Sequence, residues 1–283
     1  MEQKLHLVTV ATHSERYLPV LEKQSHDKNI ELVKLGIGKK YIGHFMKDLE
    51  MIEYLKSDNV NDDDIIAFVD GFDTLLLSEK DEIVQKFKDF NCQLLLSIEN
   101  VGSLSFIHTA VFQKVKGKFI NTGLYMGYAK YLLIFLQEMY SDTFDNNSNQ
   151  KTWAHFLEKK NAYQNISLDI DSEIFLNYSF TTTNRIKIEE KRVLINDKKP
   201  CFIQGNGCED LSSIIKNTGY TDYDIHSDKR TFKVIKNNIK AIFLIYPIAA
   251  LYITLLIFTI IIISLFIFRL YKIYNDKYYY IYL

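Results

Sequence analysis

Short apolar runs alternating with stretches of helical period set the pattern of the chain up to residue 99. Residues 5–11, 30–35, 65–69 and 93–97 read as strands, and residues 14–25 and 44–55 as helices. In the second helix Phe45, Leu49, Ile52 and Leu55 recur on one face. A third helix is expected from a cap at Ser78 to about Phe87. This alternation predicts an α/β domain with a mainly parallel, doubly wound sheet. Beyond residue 99 the rhythm changes. Residues 119–127 read as a strand broken by a tight polar turn, and residues 130–139 and 150–159 as helices. Short strands follow at 166–168, 173–175 and 201–203, then a brief helix at 211–216. The polar segment 142–150 reads as a surface loop or a helix start.

The strand 65–69 organises the rest. It is apolar throughout, as in a sheet covered on both faces, and it ends in Asp70-Gly71-Phe72-Asp73. Ligands of open α/β sheets bind outside the carboxyl ends of strands. Two carboxylates there could hold a divalent cation through oxygen. The alternative is a polar strand end and turn, with Asp73 capping the next helix. Gly205-Asn206-Gly207 and Asn121-Thr122-Gly123 are weak signals of close backbone approach when each is taken alone. Asp169 at a strand end reads as an acidic group in a cleft or as a cap. The seven histidines show neither ligand spacing nor a partnered nucleophile and read as surface or loop residues.

Hydropathy separates the C-terminal region from the rest. Residues 241–268 carry no charge, a run of about 28 that exceeds the ~20 needed to cross a bilayer. Pro247 falls near its start, where a membrane helix tolerates it. The expected organisation is a domain at 1–220, a polar linker at 221–240, a transmembrane helix at 241–268 and a short tail at 269–283. Lys229, Arg230, Lys233, Lys236 and Lys240 precede the span, against Arg269, Lys272 and Lys277 after it. The positive-inside rule then favours a single-pass tail anchor with the domain in the cytosol, and the lumenal orientation stays open as the alternative. No N-terminal run of signal-peptide length is expected.

Composition adds exclusions. A formal charge of −1 gives no reason to expect a nucleic-acid partner. Three cysteines, Cys92, Cys201 and Cys208, make no disulfide framework and no metal spacing; Cys201 and Cys208 could form one bridge, with isolated thiols favoured. The turn also looks superficially like that of haloacid-dehalogenase-class phosphatases and phosphotransferases. Their two Asp stand two positions apart, however, and here the spacing is three.

The ordered set of motifs is more specific than any one of them. It runs Val8-Thr9-Val10-Ala11-Thr12, Leu35-Gly36-Ile37-Gly38, Phe68 to Asp73 and Phe119 to Gly123 with Met126 to Ala129. It continues with Asn165 to Asp169 and ends at Phe202-Ile203-Gln204-Gly205-Asn206-Gly207, with Thr218-Gly219-Tyr220 after it. Over residues 4–220 this resembles the glycosyltransferase domain of procollagen lysyl hydroxylases and related collagen glycosyltransferases. The resemblance does not extend to an iron-dependent hydroxylase domain.

The resemblance implies a Rossmann-like, glycosyltransferase A-type fold that moves a hexose from a UDP-sugar to a protein or glycan acceptor, hydroxylysine-type acceptors included. It implies manganese held by Asp70 and Asp73, with Gln204 where the family has a histidine ligand. Thr9, Tyr41 and Phe72 would line the nucleotide pocket, with Tyr41 in place of a Trp and Phe72 in place of a Tyr. Asn206 and Gly207 would meet the diphosphate, Asn121 the donor sugar or acceptor, and Asp169 would serve as the acidic group. The departures converge on one site. Gln204 should weaken manganese binding, Ser148 and Asn149 replace an acidic run, and Asp210 replaces a lysine. The competing expectation is a catalytically weakened nucleotide-sugar-binding or interaction protein at a membrane.

Overall fold

The computed structural model describes residues 3–99, 112–142, 148–160, 164–179, 182–205, 209–223 and 247–279. A six-stranded sheet carries the domain. Its strands are β1 (Leu5–Val10), β2 (Leu32–Leu35), β3 (Ile65–Val69), β5 (Leu94–Ile98), β6 (Ile120–Tyr128) and β7 (Ile166–Leu168), in the order β2-β1-β3-β6-β5-β7. β1 pairs in parallel with β2 and β3, and β5 with β7, whereas β6 runs antiparallel to both β3 and β5. The sheet is therefore parallel-rich with one reversed strand.

Alternation along β3 explains how one run of apolar residues serves two cores. Ile66 and Phe68 face one layer, with α2 (Met46–Leu55), α4 (Ala129–Asp142) and α5 (Asn149–Lys160). Ile65, Ala67 and Val69 face the other, with α1 (Leu18–Asp27) and α3 (Lys80–Asp89). All five residues are fully buried. A second sheet, β4-β11-β8, packs beside the first and consists of β4 (Thr74–Leu76), β8 (Phe175–Tyr178) and β11 (Phe202–Gly205). A hairpin of β9 (Ile186–Glu189) and β10 (Arg192–Ile195) and a short helix α6 (Ser212–Asn217) complete the domain.

Several expectations change. The strand expected to break at residues 119–127 is the continuous β6. Its polar turn residues, Asn121 and Thr122, stay in the strand, and the irregularity appears instead as a register shift against Leu96 and Ser97. Ser78 caps no helix: α3 begins at Lys80, and the Ser78 hydroxyl accepts a hydrogen bond from Arg192 at 2.9 Å. Residues 74–76, for which no element was expected, form β4 and pair with β11. The α1 helix starts at Leu18, later than expected, with Pro19 in its first turn. Cys201 is a buried free thiol, and Cys208 lies outside the described residues.

The long apolar helix α7 runs from Pro247 to Tyr279. Residues 241–246 of the expected span lie outside the described residues, and the helix passes its expected end at Phe268. The segment Ala250–Lys272 is long and apolar enough to cross a membrane, and none of its most apolar stretch is buried against the domain.

One buried carboxylate in the core makes a pH prediction. Asp48 is fully buried on α2 and accepts hydrogen bonds from Tyr140 Oη at 2.8 Å and from Trp153 Nε1 at 3.1 Å. Loss of hydration outweighs those donors and raises its pKa to about 6. The folded state then keeps a proton that the unfolded chain has already lost, so Asp48 contributes stability at acid pH that disappears as pH rises from about 4 to about 6. Relative to Asp48→Asn, the wild type should lose roughly 3 kcal/mol across that interval, as read from denaturant midpoints at stepped pH. Parallel pH profiles for the two proteins would contradict this assignment.

Candidate active site

The turn after β3 is held to two other elements by backbone bonds. The Asp70 amide donates to the Gly123 carbonyl on β6 at 2.8 Å, and the Gly205 amide at the end of β11 donates to the Asp73 carbonyl at 2.7 Å. Three chain segments that are distant in sequence therefore meet at the mouth of the sheet. Asn206 and Gly207, the expected diphosphate contacts, follow Gly205 directly and lie outside the described residues.

Both carboxylates converge on one side chain. Gln204 Nε2 donates to Asp70 Oδ2 at 3.1 Å and to Asp73 Oδ1 at 3.2 Å. Gln204 is 2% exposed, and its Oε1 is buried without a hydrogen-bond partner. Gly123 makes room for this arrangement. A Cβ on that residue would stand 2.4 Å from Gln204 Nε2 and 2.7 Å from Asp70 Oδ2. Burial and the Asp70 charge together hold the Asp73 carboxyl well above the ordinary carboxylate range.

A cleft of about 430 Å³ opens in front of this pair, lined by Val10 to His13 from the end of β1 onward, by Arg16, by Tyr41, His44, Met46 and Lys47, and by Asp70 to Asp73. Phe72 packs its ring 5.3 Å from His13, and Tyr41 stands edge-on to His44 at 6.0 Å, so the cleft has aromatic walls. Tyr41 is 54% exposed, a flat ring offered to solvent. Thr9 does not line the cleft. It is buried beneath it, and a Cβ on Gly71 would lie 2.7 Å from its Oγ1.

Two cleft cations had no place in the sequence expectations. Lys47, in the first turn of α2, forms an ion pair with Asp70 Oδ1, and the Asp70 and Asp73 charges raise the ammonium pKa against its burial. Arg16 lines the same cleft. Two histidines assigned to the surface, His13 and His44, also line it. Burial lowers the His44 pKa and so favours the neutral ring. A signal for Lys47 was present in the sequence: a cation in the first turn of a helix opposes the helix dipole and needs a compensating anion.

Two expected catalytic residues are not among those lining this cleft. Asp169 accepts backbone hydrogen bonds from Glu173, Ile174 and Phe175 at 2.7–2.9 Å, is 1% exposed, and is not among the residues lining the cleft. Its oxygens are spent on shaping the turn into β8, so its role there is the cap. Asn121 is buried on β6; its Nδ2 donates to Glu99 at 2.9 Å and to Asn177 at 3.2 Å, and its Oδ1 accepts from the Gly123 amide at 2.6 Å. It thus fixes the backbone of the residue that makes room for Gln204. Of the departures, Asp210 Oδ1 accepts from the Ser212 amide at 2.8 Å at the start of α6, and Asn149 Oδ1 accepts from Thr122 at 3.3 Å.

The donor set suits a hard cation. Among the described residues no three His, Cys, Asp or Glu side chains cluster as ligands. Two carboxylates and one amide do converge, however, and turning the Gln204 amide over would aim its partnerless Oε1 where Nε2 now points. Oxygen ligands of this kind hold hard divalent ions.

A parallel-rich α/β sheet with an acidic turn at its mouth and an aromatic cleft in front makes this a Rossmann-like domain. The model of the family described as PLOD GT domain matches residues 1–223, and the chain belongs to that family. The procollagen-lysine,2-oxoglutarate 5-dioxygenase of Drosophila melanogaster is 25% identical over 221 residues, covering 72% of this chain and 30% of that protein. The human multifunctional procollagen lysine hydroxylase and glycosyltransferase LH3 is 28% identical over 224 residues, with 72% and 30% covered. The chain thus spans about a third of the length of these curated relatives. Among solved structures, galactosyltransferase LgtC in complex with donor and acceptor sugar analogues aligns at 13% identity and a TM-score of 0.35, over 61% of this chain and 75% of that one.

Proposed function

We propose that this domain binds a UDP-sugar through a divalent cation, manganese in the first instance, held by Asp70, Asp73 and Gln204, and transfers the hexose to a hydroxyl acceptor. The observation that carries the reading is the convergence of both carboxylates on the Gln204 amide, at 3.1 and 3.2 Å, behind a cleft with aromatic walls. When bound, the cation supplies Lewis acidity that stabilises charge on a leaving diphosphate. The chain's own residues do the rest. Phe72 and Tyr41 offer ring faces to a nucleobase. Gly123 leaves the room in which the acidic pair and the amide meet, and Gly71 lets the acidic turn pack onto Thr9. Two carboxylates and two cations line the cleft, so a divalent ion turns a nearly neutral surface positive, as a diphosphate requires. The relatives named for procollagen lysine suggest a hydroxylysine-type acceptor, with other protein or glycan hydroxyls in the same chemical class.

A second reading, a nucleotide-sugar-binding protein with weakened turnover, draws on one specific observation. The two carboxylates are already served by Lys47 and by a neutral amide. Hydrolysis of a UDP-hexose with manganese separates the two. Activity in the native chain that is lost in Asp73→Ala supports the enzyme. A silent native chain that gains turnover on Gln204→His supports the binder.

The domain at 1–220 is proposed to sit at a membrane through α7, on the side of the more basic flank, the cytosol. Asn165 reports on this orientation. It is an exposed sequon residue, whereas the Asn177 sequon is buried with its amide donating to the Ile98 carbonyl at 2.7 Å, and Asn146 lies outside the described residues. Asn165 should stay unmodified in cells, by mass spectrometry of the purified chain. A glycan there would put the domain in the lumen.

A further inference from the structure

Four charged side chains line the cleft, and three of them are accounted for. Asp70 and Asp73 face the Gln204 amide, and the Lys47 ammonium is taken up by Asp70 Oδ1. Arg16 is different. Among the described residues its guanidinium makes no ion pair and no hydrogen bond; it lies 5.6 Å from the Tyr17 ring centroid and acts on Asp73 only as a charge through space. Its backbone lies at φ +52°, in the left-handed region that glycine takes freely and a branched or long side chain resists. An unfavourable backbone conformation that carries an unpaired cation into a cleft is the pattern of strain kept at a ligand site.

We propose that Arg16 is the diphosphate-binding residue of this cleft, its planar fork taking two phosphate oxygens of a nucleoside diphosphate. This rests on the nucleotide-sugar reading above and adds to it a residue specific to the phosphates. Arginine suits the task because its donors match a phosphate bidentately and its charge persists at any physiological pH. Lys47 cannot take the same part without leaving Asp70, so the division of labour is between a cation that balances the acidic pair and a cation that meets the ligand. The short segment that bears Arg16 is tied to the acidic turn, since the Tyr17 amide donates to the Phe72 carbonyl at 3.4 Å. Arg16 and the carboxylates therefore keep their spacing together.

The test is calorimetric titration of the full chain in detergent, with manganese present, by UDP and separately by uridine, which lacks phosphates. Arg16→Gly suits this because glycine relieves the left-handed backbone, so the fold should be kept or strengthened. It should weaken UDP roughly tenfold or more and leave uridine within about twofold, while Arg16→Lys should fall between. A purely structural Arg16 would lower UDP and uridine together, and unchanged UDP affinity in Arg16→Gly would likewise overturn the inference. A native chain that binds UDP no better than uridine would overturn the inference alone. A native chain that binds neither would overturn the nucleotide-sugar reading as well.

Discussion

Gly123→Ala is expected to lower manganese-dependent hydrolysis of a UDP-hexose by roughly a hundredfold, because misplacing a catalytic constellation by about 1 Å can cost that much. The new methyl would start 2.4 Å from Gln204 Nε2 and 2.7 Å from Asp70 Oδ2, distances no real Cβ adopts. Gln204 is 2% exposed and has little space for retreat, so it and Asp70 must part. The strand itself should survive. Gly123 is not in a left-handed conformation, and alanine keeps the carbonyl that accepts from the Asp70 amide. A thermal midpoint within about 5 °C of the wild type, beside collapsed turnover, is the expected pair of results. Full activity in Gly123→Ala would show that the acid–amide convergence is not needed for turnover.

Trp153→Ala should cost about 3–5 kcal/mol of stability, the largest single effect anticipated in the fold. The indole is fully buried, packs its ring 4.9 Å from Phe135 and 5.0 Å from Tyr125, and donates to Asp48. Removal leaves a cavity and takes a hydrogen-bond donor from the buried Asp48 carboxylate, which adds the cost of an unsatisfied group. Trp153→Phe separates the contributions by keeping most of the ring and losing the N–H, at an expected ~1–2 kcal/mol. Because Trp153 is the chain's single tryptophan, urea unfolding of the variants must be followed by circular dichroism. A loss below about 1 kcal/mol in Trp153→Ala would mean that the α4–α5 layer collapses around the gap.

The legible part of this fold is the part with strong periodicity. Ile65–Val69 announced itself because every residue is apolar, as burial on two faces requires, and its terminal carboxylates therefore fell at the mouth of the sheet. β4 and the β9–β10 hairpin were not legible, since three- and four-residue strands carry too little alternation to stand out from turns. In the site, side chains whose meaning lies in what they touch escaped notice. Lys47 lay inside the predicted helix 44–55 with no role of its own, although it answers Asp70 across 23 residues of sequence. Arg16 read as part of a polar helix start, and only its left-handed backbone and its place in the cleft set it apart. Asp169 shows the converse error. A carboxylate at a strand end suggests chemistry, yet three backbone amides of the following turn claim it.

Metal location tests the proposal most directly. Crystals of the domain grown with manganese and UDP, measured at the manganese absorption edge, should show one anomalous peak at about 2.0–2.6 Å from an oxygen of each of Asp70, Asp73 and Gln204, the range for hard cations on oxygen ligands. A peak elsewhere, or UDP bound in the cleft with no metal beside those three side chains, would contradict it.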